Sequence, residues 1–149
     1  MDDYQAYRET SYEAETPIGR IEVRVGHEAH KLDGLLQYFD AGRWAFLTAW
    51  NPGGTFAGED QNRQRQQALE TQLDDEGYQY FSGECVPDNA DWAPEQCALV
   101  VGIPADEATE FAERWNQGSV VCGRHGQPAR LVDAATGEDV TEYGEAEQV

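Results

Sequence analysis

Basic residues are scarce in this chain. A single lysine, Lys31, and nine arginines face 29 aspartates and glutamates over 149 residues, a net charge of −19. Nucleic acids and anionic lipid surfaces recruit proteins through Lys and Arg, so such a charge disfavours them as bulk partners. An arginine-lined pocket for a single phosphate remains compatible with it. Cysteine is sparse as well. Cys85, Cys97 and Cys122 are odd in number and form no Cys-x-x-Cys pair, which indicates neither a disulfide framework nor a zinc site. Long apolar runs are missing: none approaches the roughly 18 residues of a membrane span. The opening MDDYQAYRET has no apolar h-region, so no membrane partner and a cytoplasmic location are expected.

What is present suffices for a fold. The chain is 40% hydrophobic and 11% aromatic, enough for one domain with a sizeable core. Residues 7–25 alternate as a hairpin, with Thr10, Tyr12 and Ala14 before a Pro17-Ile18-Gly19 turn and Ile21, Val23 and Val25 after it. Leu32, Leu35, Leu36 and Phe39 then fall at helical spacing, with Gly42 as the expected cap. Residues 44–50 form an apolar strand and residues 59–76 a helix closed by Gly77. Residues 78–82 are a short strand and 98–103 a second strongly apolar one. Pro104 opens a helix whose stripe is Ala108, Phe111, Ala112 and Trp115, with Gly118 as its cap. A last hairpin spans 119–132. Residues 1–132 thus read as a single α+β domain, and 133–149 as an acidic, flexible tail.

The order strand-helix-strand, strand-helix-strand is that of a ferredoxin-like split βαβ core, here preceded by a hairpin and a helix. That topology makes the first and third strands central, and the two most apolar runs fall there. A doubly wound parallel sheet is the alternative, but it needs a crossover within 83–98, where no helical period exists.

The apolar run FLTAW breaks abruptly into Asn51-Pro52-Gly53-Gly54. Tracing strand directions places this elbow at the same end of the sheet as the 83–97 loop and Asn116-Gln117-Gly118. The helical stripe through Leu69 and Leu73, continued toward the N-terminus, reaches Arg65, or Gln66, and then Asn62, which turns Asn62 and Arg65 inward beneath the elbow. Gly53 and Gly54 permit close backbone approach, and a helix N-terminus there favours an anion. Asn51, Gly53, Gly54, Asn62, Arg65 and Gln117 are therefore expected around one concavity, with Trp92 at its rim as a stacking surface. The plainer alternative is that Asn51 only caps the turn and Arg65 pairs with Glu84 or Glu95 in a buried network.

Glu84 and Glu95 share the same loop and are the weak candidates for an acid–base pair. His27-Glu28-Ala29-His30 spaces its histidines at i, i+3 rather than the i, i+4 of a helical zinc motif, so no metal is expected there, nor any cofactor. The string TAWNP, followed by Asn62-x-x-Arg65-x-x-x-Leu69-x-x-x-Leu73 and then Gly83-Glu84, Trp92, Glu95 and Gln117, resembles a bacterial family designated domain of unknown function 3293. The resemblance extends over about residues 7–132. It implies a small cytoplasmic protein and transfers no catalytic roles.

The function expected on this basis is binding of a small polar or anionic ligand, a nucleotide among the candidates, in a cleft at the elbow. The alternatives are a pocketless interaction protein and a hydrolase-type enzyme using Glu84 and Glu95. The charge itself predicts halophilic behaviour. Lowering salt extends the range of self-repulsion from about 3 Å at 1 M to about 10 Å at 0.1 M. Melting temperature is therefore expected to rise steadily with sodium chloride up to molar concentration; a flat profile would remove the halophilic reading.

Overall fold

The computed structural model describes residues 4–142. A short helix α1 (Tyr4–Arg8) precedes the hairpin β1 (Thr10–Thr16) and β2 (Gly19–Val23), followed by α2 (His30–Tyr38). Then come β3 (Arg43–Leu47), a single 3-10 turn (Pro52–Gly54), α3 (Glu59–Asp75), β4 (Gln79–Pro87) and β5 (Glu95–Val101). Helix α4 (Ala105–Arg114) and the hairpin β6 (Ser119–Arg124) and β7 (Arg130–Asp133) complete the described elements. The fold is α+β: one seven-stranded sheet in the order β2-β1-β4-β5-β3-β6-β7, with every neighbouring pair antiparallel. The doubly wound parallel alternative is excluded. Residues 88–94 join β4 to β5 as a hairpin turn and carry no crossover helix.

The middle of the sheet is covered on both faces, which explains the scant alternation in β3 and β5. On one face, Leu32, Leu35 and Leu36 of α2 pack against Trp44, Phe46, Leu99 and Ile21. On the other, Leu69 and Leu73 of α3 and Phe111 and Ala112 of α4 pack against Ala45, Leu47, Ala98 and Val100. Each of these leucines is fully buried, which contributes about 1.5–3 kcal/mol apiece relative to exposure. The β3 and β5 strands lie near the middle of the sheet because both their faces are apolar.

Three helices end in the same way, and only one uses the expected residue. The left-handed position after α3 is Gly77, as its spacing predicts. After α2 and α4 it is Asp40 and Asn116 rather than Gly42 and Gly118. In each, the following amide reaches back to a carbonyl in the last turn: Ala41 N to Leu36 O at 2.9 Å, and Gln117 N to Ala112 O at 2.7 Å. Asp and Asn tolerate the left-handed region better than other non-glycine residues, so glycine two positions on was not required.

Residues 134–142, assigned from sequence to the flexible tail, instead pack onto the sheet. Val140 is buried against the core, Asp139 bridges Val132, and Val140 N donates to Leu131 O at 2.8 Å. Arg8 from α1 donates to the carbonyls of Val140 and Thr141. The rest of the expected tail, from residue 143, lies outside the described residues. Composition alone could not separate a strand-like addition from a tail, because the segment supplies only two apolar anchors, Ala134 and Val140, and several backbone bonds.

Gly123 stands opposite Trp44 in the β3–β6 ladder. The indole lies over it so closely that a Cβ would sit 2.7 Å from Trp44 Cζ2. The same indole leaves its buried Nε1 without a hydrogen-bond partner among the described residues. Gly123→Ala is expected to cost about 1–3 kcal/mol in chemical denaturation through overpacking. Gly42→Ala, where the added methyl meets nothing within 4 Å, should stay within about 0.5 kcal/mol.

Candidate functional site

The polar elbow after β3 is built from outside in. Past Leu47 the chain leaves the ladder, and its backbone groups need new partners. Thr48 Oγ1 donates to Gln96 O at 2.7 Å and accepts from Trp50 N at 3.1 Å. Ala49 N donates to Gln66 Oε1 at 2.9 Å. Asn51 takes a left-handed conformation, φ 46°, and Gly53 and Gly54 follow at φ 68° and 77°. Three positive-φ positions within four residues explain Asn and Gly there: other side chains are strained in that region.

Asn51 and Asn62 then satisfy one another. Asn51 N donates to Asn62 Oδ1 at 2.7 Å, and Asn62 Nδ2 donates to Asn51 Oδ1 at 2.6 Å. Asn51 Nδ2 reaches across to Glu95 Oε2 at 3.0 Å, and Ala57 N donates to Asn51 Oδ1 at 3.3 Å. Asn62 is wholly buried, and so is Gln66 one turn further along α3. Arg65 does point inward, as the stripe predicts, but it pairs with neither Glu84 nor Glu95. Its Nε donates to Ala49 O at 2.9 Å and its Nη2 to Trp115 O at 2.8 Å, with the guanidinium 5.4 Å from the Trp115 ring centre. Gln117 Nε2 donates to Trp50 O at 3.0 Å, and Gly53 N to Asn116 O at 2.7 Å.

Asn51, Gly53, Asn62, Arg65 and Gln117 are therefore brought together at one end of the sheet, joined by Glu95. They face each other and backbone carbonyls, and each makes at least one hydrogen bond within this network. Gly54 serves the turn, its N bonded to Asn51 O. Trp92 sits in the β4–β5 turn, 59% exposed, with no hydrogen bond or ring contact to the elbow from its side chain among the described residues. Glu84 is not part of the network either. In the β4–β5 register Glu84 stands opposite Gln96 and Glu95 opposite Cys85. The pleat sends neighbouring rungs to opposite faces, so the two carboxylates do not flank one reacting atom. Burial pushes the Glu95 carboxyl above the ordinary glutamate range, and the Asn51 bond partly offsets it.

Open space lies next to the elbow. Helices α3 and α4 leave open the part of their sheet face formed by β1 and by residues 82–84 of β4. A cleft of about 480 Å³ there is walled by Gln66, Gln67 and Glu70 of α3 and by Glu13, Glu84 and Gln96 of the strands. Its arginines are engaged: Arg20 with Glu13 and Glu15, Arg63 with Glu59 and Asp60. Glu70 accepts from Gln66 Nε2 at 3.4 Å, and burial raises its pKa. The side chains of Gln67, Ser82, Glu84 and Gln96 have no partner among the described residues. Sequence reasoning missed this cleft; the stripe did offer Gln66 as the alternative to Arg65, and Gln66 is the one of the two that is fully buried.

The remaining motif residues are ordinary. His30 opens α2 and pairs with Glu28 at 2.7 Å on the surface. Among the described residues no three His, Cys, Asp or Glu side chains are grouped to hold a metal ion, and no helix is long and apolar enough to cross a membrane. Cys97 and Cys122 are buried thiols and Cys85 is half-buried.

Removing Asn62 leaves Asn51 N unpaired and its Oδ1 with only the long bond from Ala57 N, in a partly buried setting, and a lost partner of this kind costs about 1–3 kcal/mol. Asn62→Ala is expected to lose about 2–4 kcal/mol in urea titration at molar salt. Arg65→Ala should lose a similar amount through two charge-assisted bonds. Wild-type stability in either variant would dissolve the network as a structural element.

No curated protein and no solved structure matches the chain. A family model does match, over residues 47–120, narrower than the 7–132 read from sequence but containing the elbow, Asn62, Arg65, Glu84, Trp92, Glu95 and Gln117. Over that stretch the chain resembles the family described as protein of unknown function (DUF3293).

Proposed function

We propose that the protein is a binding module for a small, hydrogen-bonding ligand, neutral or cationic, seated in the cleft between α3 and the open polar face of β1 and β4. The observation that carries this reading is one cleft of about 480 Å³ whose lining includes the exposed polar side chains Gln67, Ser82, Glu84 and Gln96. That volume lies within the range typical of small-molecule sites. The anionic preference expected at the elbow is not favoured. Arg65 is committed to two backbone carbonyls, and the cleft's own arginines are committed to carboxylates. Polyols, amides and amines fit the remaining acceptors and donors. On this reading the elbow is the brace that sets the α3 wall at its height above the sheet.

The strand order β4-β5-β3-β6, with β3 and β4 parallel on either side of β5, supports the ferredoxin-like split βαβ core. Three free thiols and the acidic surface suit a reducing, salt-rich cytoplasm.

A panel of polyols, amino sugars and aliphatic amines, screened by ligand-observed NMR at molar salt, is expected to yield hits. Gln67→Ala and Glu84→Ala should abolish them without lowering the melting temperature, because both side chains lack protein partners. Absence of hits, or hits that survive both substitutions, would refute the reading. An interaction surface is the second reading. It is favoured by Phe56 and Trp92, 74% and 59% exposed in the two turns joined by the Asn51–Glu95 bond. Light scattering that gives a dimer lost in Phe56→Ser and Trp92→Ser would support it.

A further inference from the structure

The end of the sheet opposite the elbow concentrates positive charge. Arg43 and Arg124 stand directly across from each other in the β3–β6 ladder, and Arg130 stands across from Cys122 in the next pair. Strand alternation sets their faces. Arg43 shares its face with Ala45, Arg124 with Cys122, and Arg130 with Val132, and all three apolar residues belong to the core under α4. Three of the nine arginines thus project to one side of one sheet end. They line a cleft of about 220 Å³ that is closed by Pro104 and Ala105 at the start of α4.

Charge pairing makes this cluster unusual. Most arginines of this chain have an assigned partner. Arg43 and Arg124 have no ion pair and no side-chain hydrogen bond among the described residues. Like charges directly opposite in a ladder repel, and 29 acidic residues were at hand to neutralise them. Arg130 is held at the rim by Asp139 at 3.7 Å. Asp106 is the one acidic residue lining the cleft, and its Oδ1 accepts from Glu107 N at 3.0 Å. No side chain caps α4, and the backbone N–H groups of Ala105 and Asp106 have no partner. They add partial positive charge where the arginines already stand.

We propose that this cleft binds the phosphate group of a small ligand, between Arg43, Arg124 and Arg130, with the first amides of α4 completing the cradle. Guanidinium groups match a tetrahedral oxyanion by paired N–H donors. The cleft holds a phosphoryl group and a short organic stub, and is smaller than the roughly 300 Å³ at which drug-sized sites begin. A whole nucleotide is therefore too large to be enclosed. The site is separate from the polar cleft beside α3, whose lining shares none of its residues, so either can fail without the other.

The test is isothermal titration of the full chain with inorganic phosphate and with glycerol 3-phosphate, in sodium chloride of matched, high ionic strength. At 1 M the screening length is about 3 Å, so long-range repulsion by the acidic surface is suppressed while direct contacts remain. Saturable binding is expected, weakened at least about tenfold in Arg43→Gln/Arg124→Gln. Arg20→Gln, in the other cleft, should bind as the wild type does. The amide resonances of Ala105 and Asp106 should move on titration in the wild type and stay fixed in the double variant. Tighter binding of the ester identifies a phosphorylated metabolite, and equal binding identifies free phosphate; both support the site. Absence of saturable binding by either probe, or equal affinity in a double variant whose melting temperature shows it folded, would overturn the proposal.

Discussion

The mutual hydrogen bonding of Asn51 and Asn62 closes a gap that nothing apolar could close. At the end of β3 the chain must turn sharply over a packed core, and the turn exposes amides and carbonyls that the sheet no longer pairs. Asn62 is fully buried and offers an acceptor and a donor 2.7 and 2.6 Å from Asn51. Gln66 and Arg65 extend the same service to the two groups of Ala49. Because these three side chains lie at i, i+3 and i+4 on one helix face, α3 cannot rotate or slide without breaking several bonds at once. The pairing also binds the turn after α4, through Gly53 and Gln117, and the start of β5, through Glu95. Four segments distant in sequence share one polar knot above an otherwise dry core.

Such a knot is costly to half-build. A buried amide without its partner loses more than a hydrogen bond contributes. That asymmetry accounts for the density of Asn, Gln and Gly in the elbow and for the presence of an arginine inside an acidic protein. Arg65 is there as a rigid fork for two carbonyls, stacked on Trp115, and its charge is incidental to that geometry.

Much of this was legible. The apolar runs located the inner strands because a strand covered on both faces must be apolar throughout. The Leu69–Leu73 stripe turned Asn62 and Arg65 inward because helical phase is set by 3.6 residues per turn. Strand directions brought Gln117 to the elbow. What escaped the sequence was partner choice. Whether an inward arginine meets a carboxylate, a ligand or a carbonyl depends on differences of an ångström that pattern cannot carry. Glu84 and Glu95 illustrate the same limit: a common loop suggested a pair, but one rung of register separates the faces they use. The open β1–β4 face was also hidden, since an uncovered polar strand and an uncovered polar loop look alike in composition. Residues 134–142 escaped for a related reason, as an alanine, a valine and a few bonds to the backbone hold them in place.

The distribution of arginines carries the argument one step further. With ten basic residues against 29 acidic ones, carboxylates are abundant as partners for the guanidiniums. Arg20, Arg24 and Arg63 are so placed, and Arg114 lies 3.8 Å from Glu76. Arg8 and Arg65 are spent instead on backbone carbonyls, as ties between elements. Arg43 and Arg124 follow neither pattern. They face each other at the sheet end opposite the elbow, beside uncapped amides of α4. In a chain that must screen its own negative surface, two unspent positive charges held together against their repulsion are a local field of the opposite sign. Such a field lowers the energy of an anion placed there, at the end of the sheet that the elbow network does not reach.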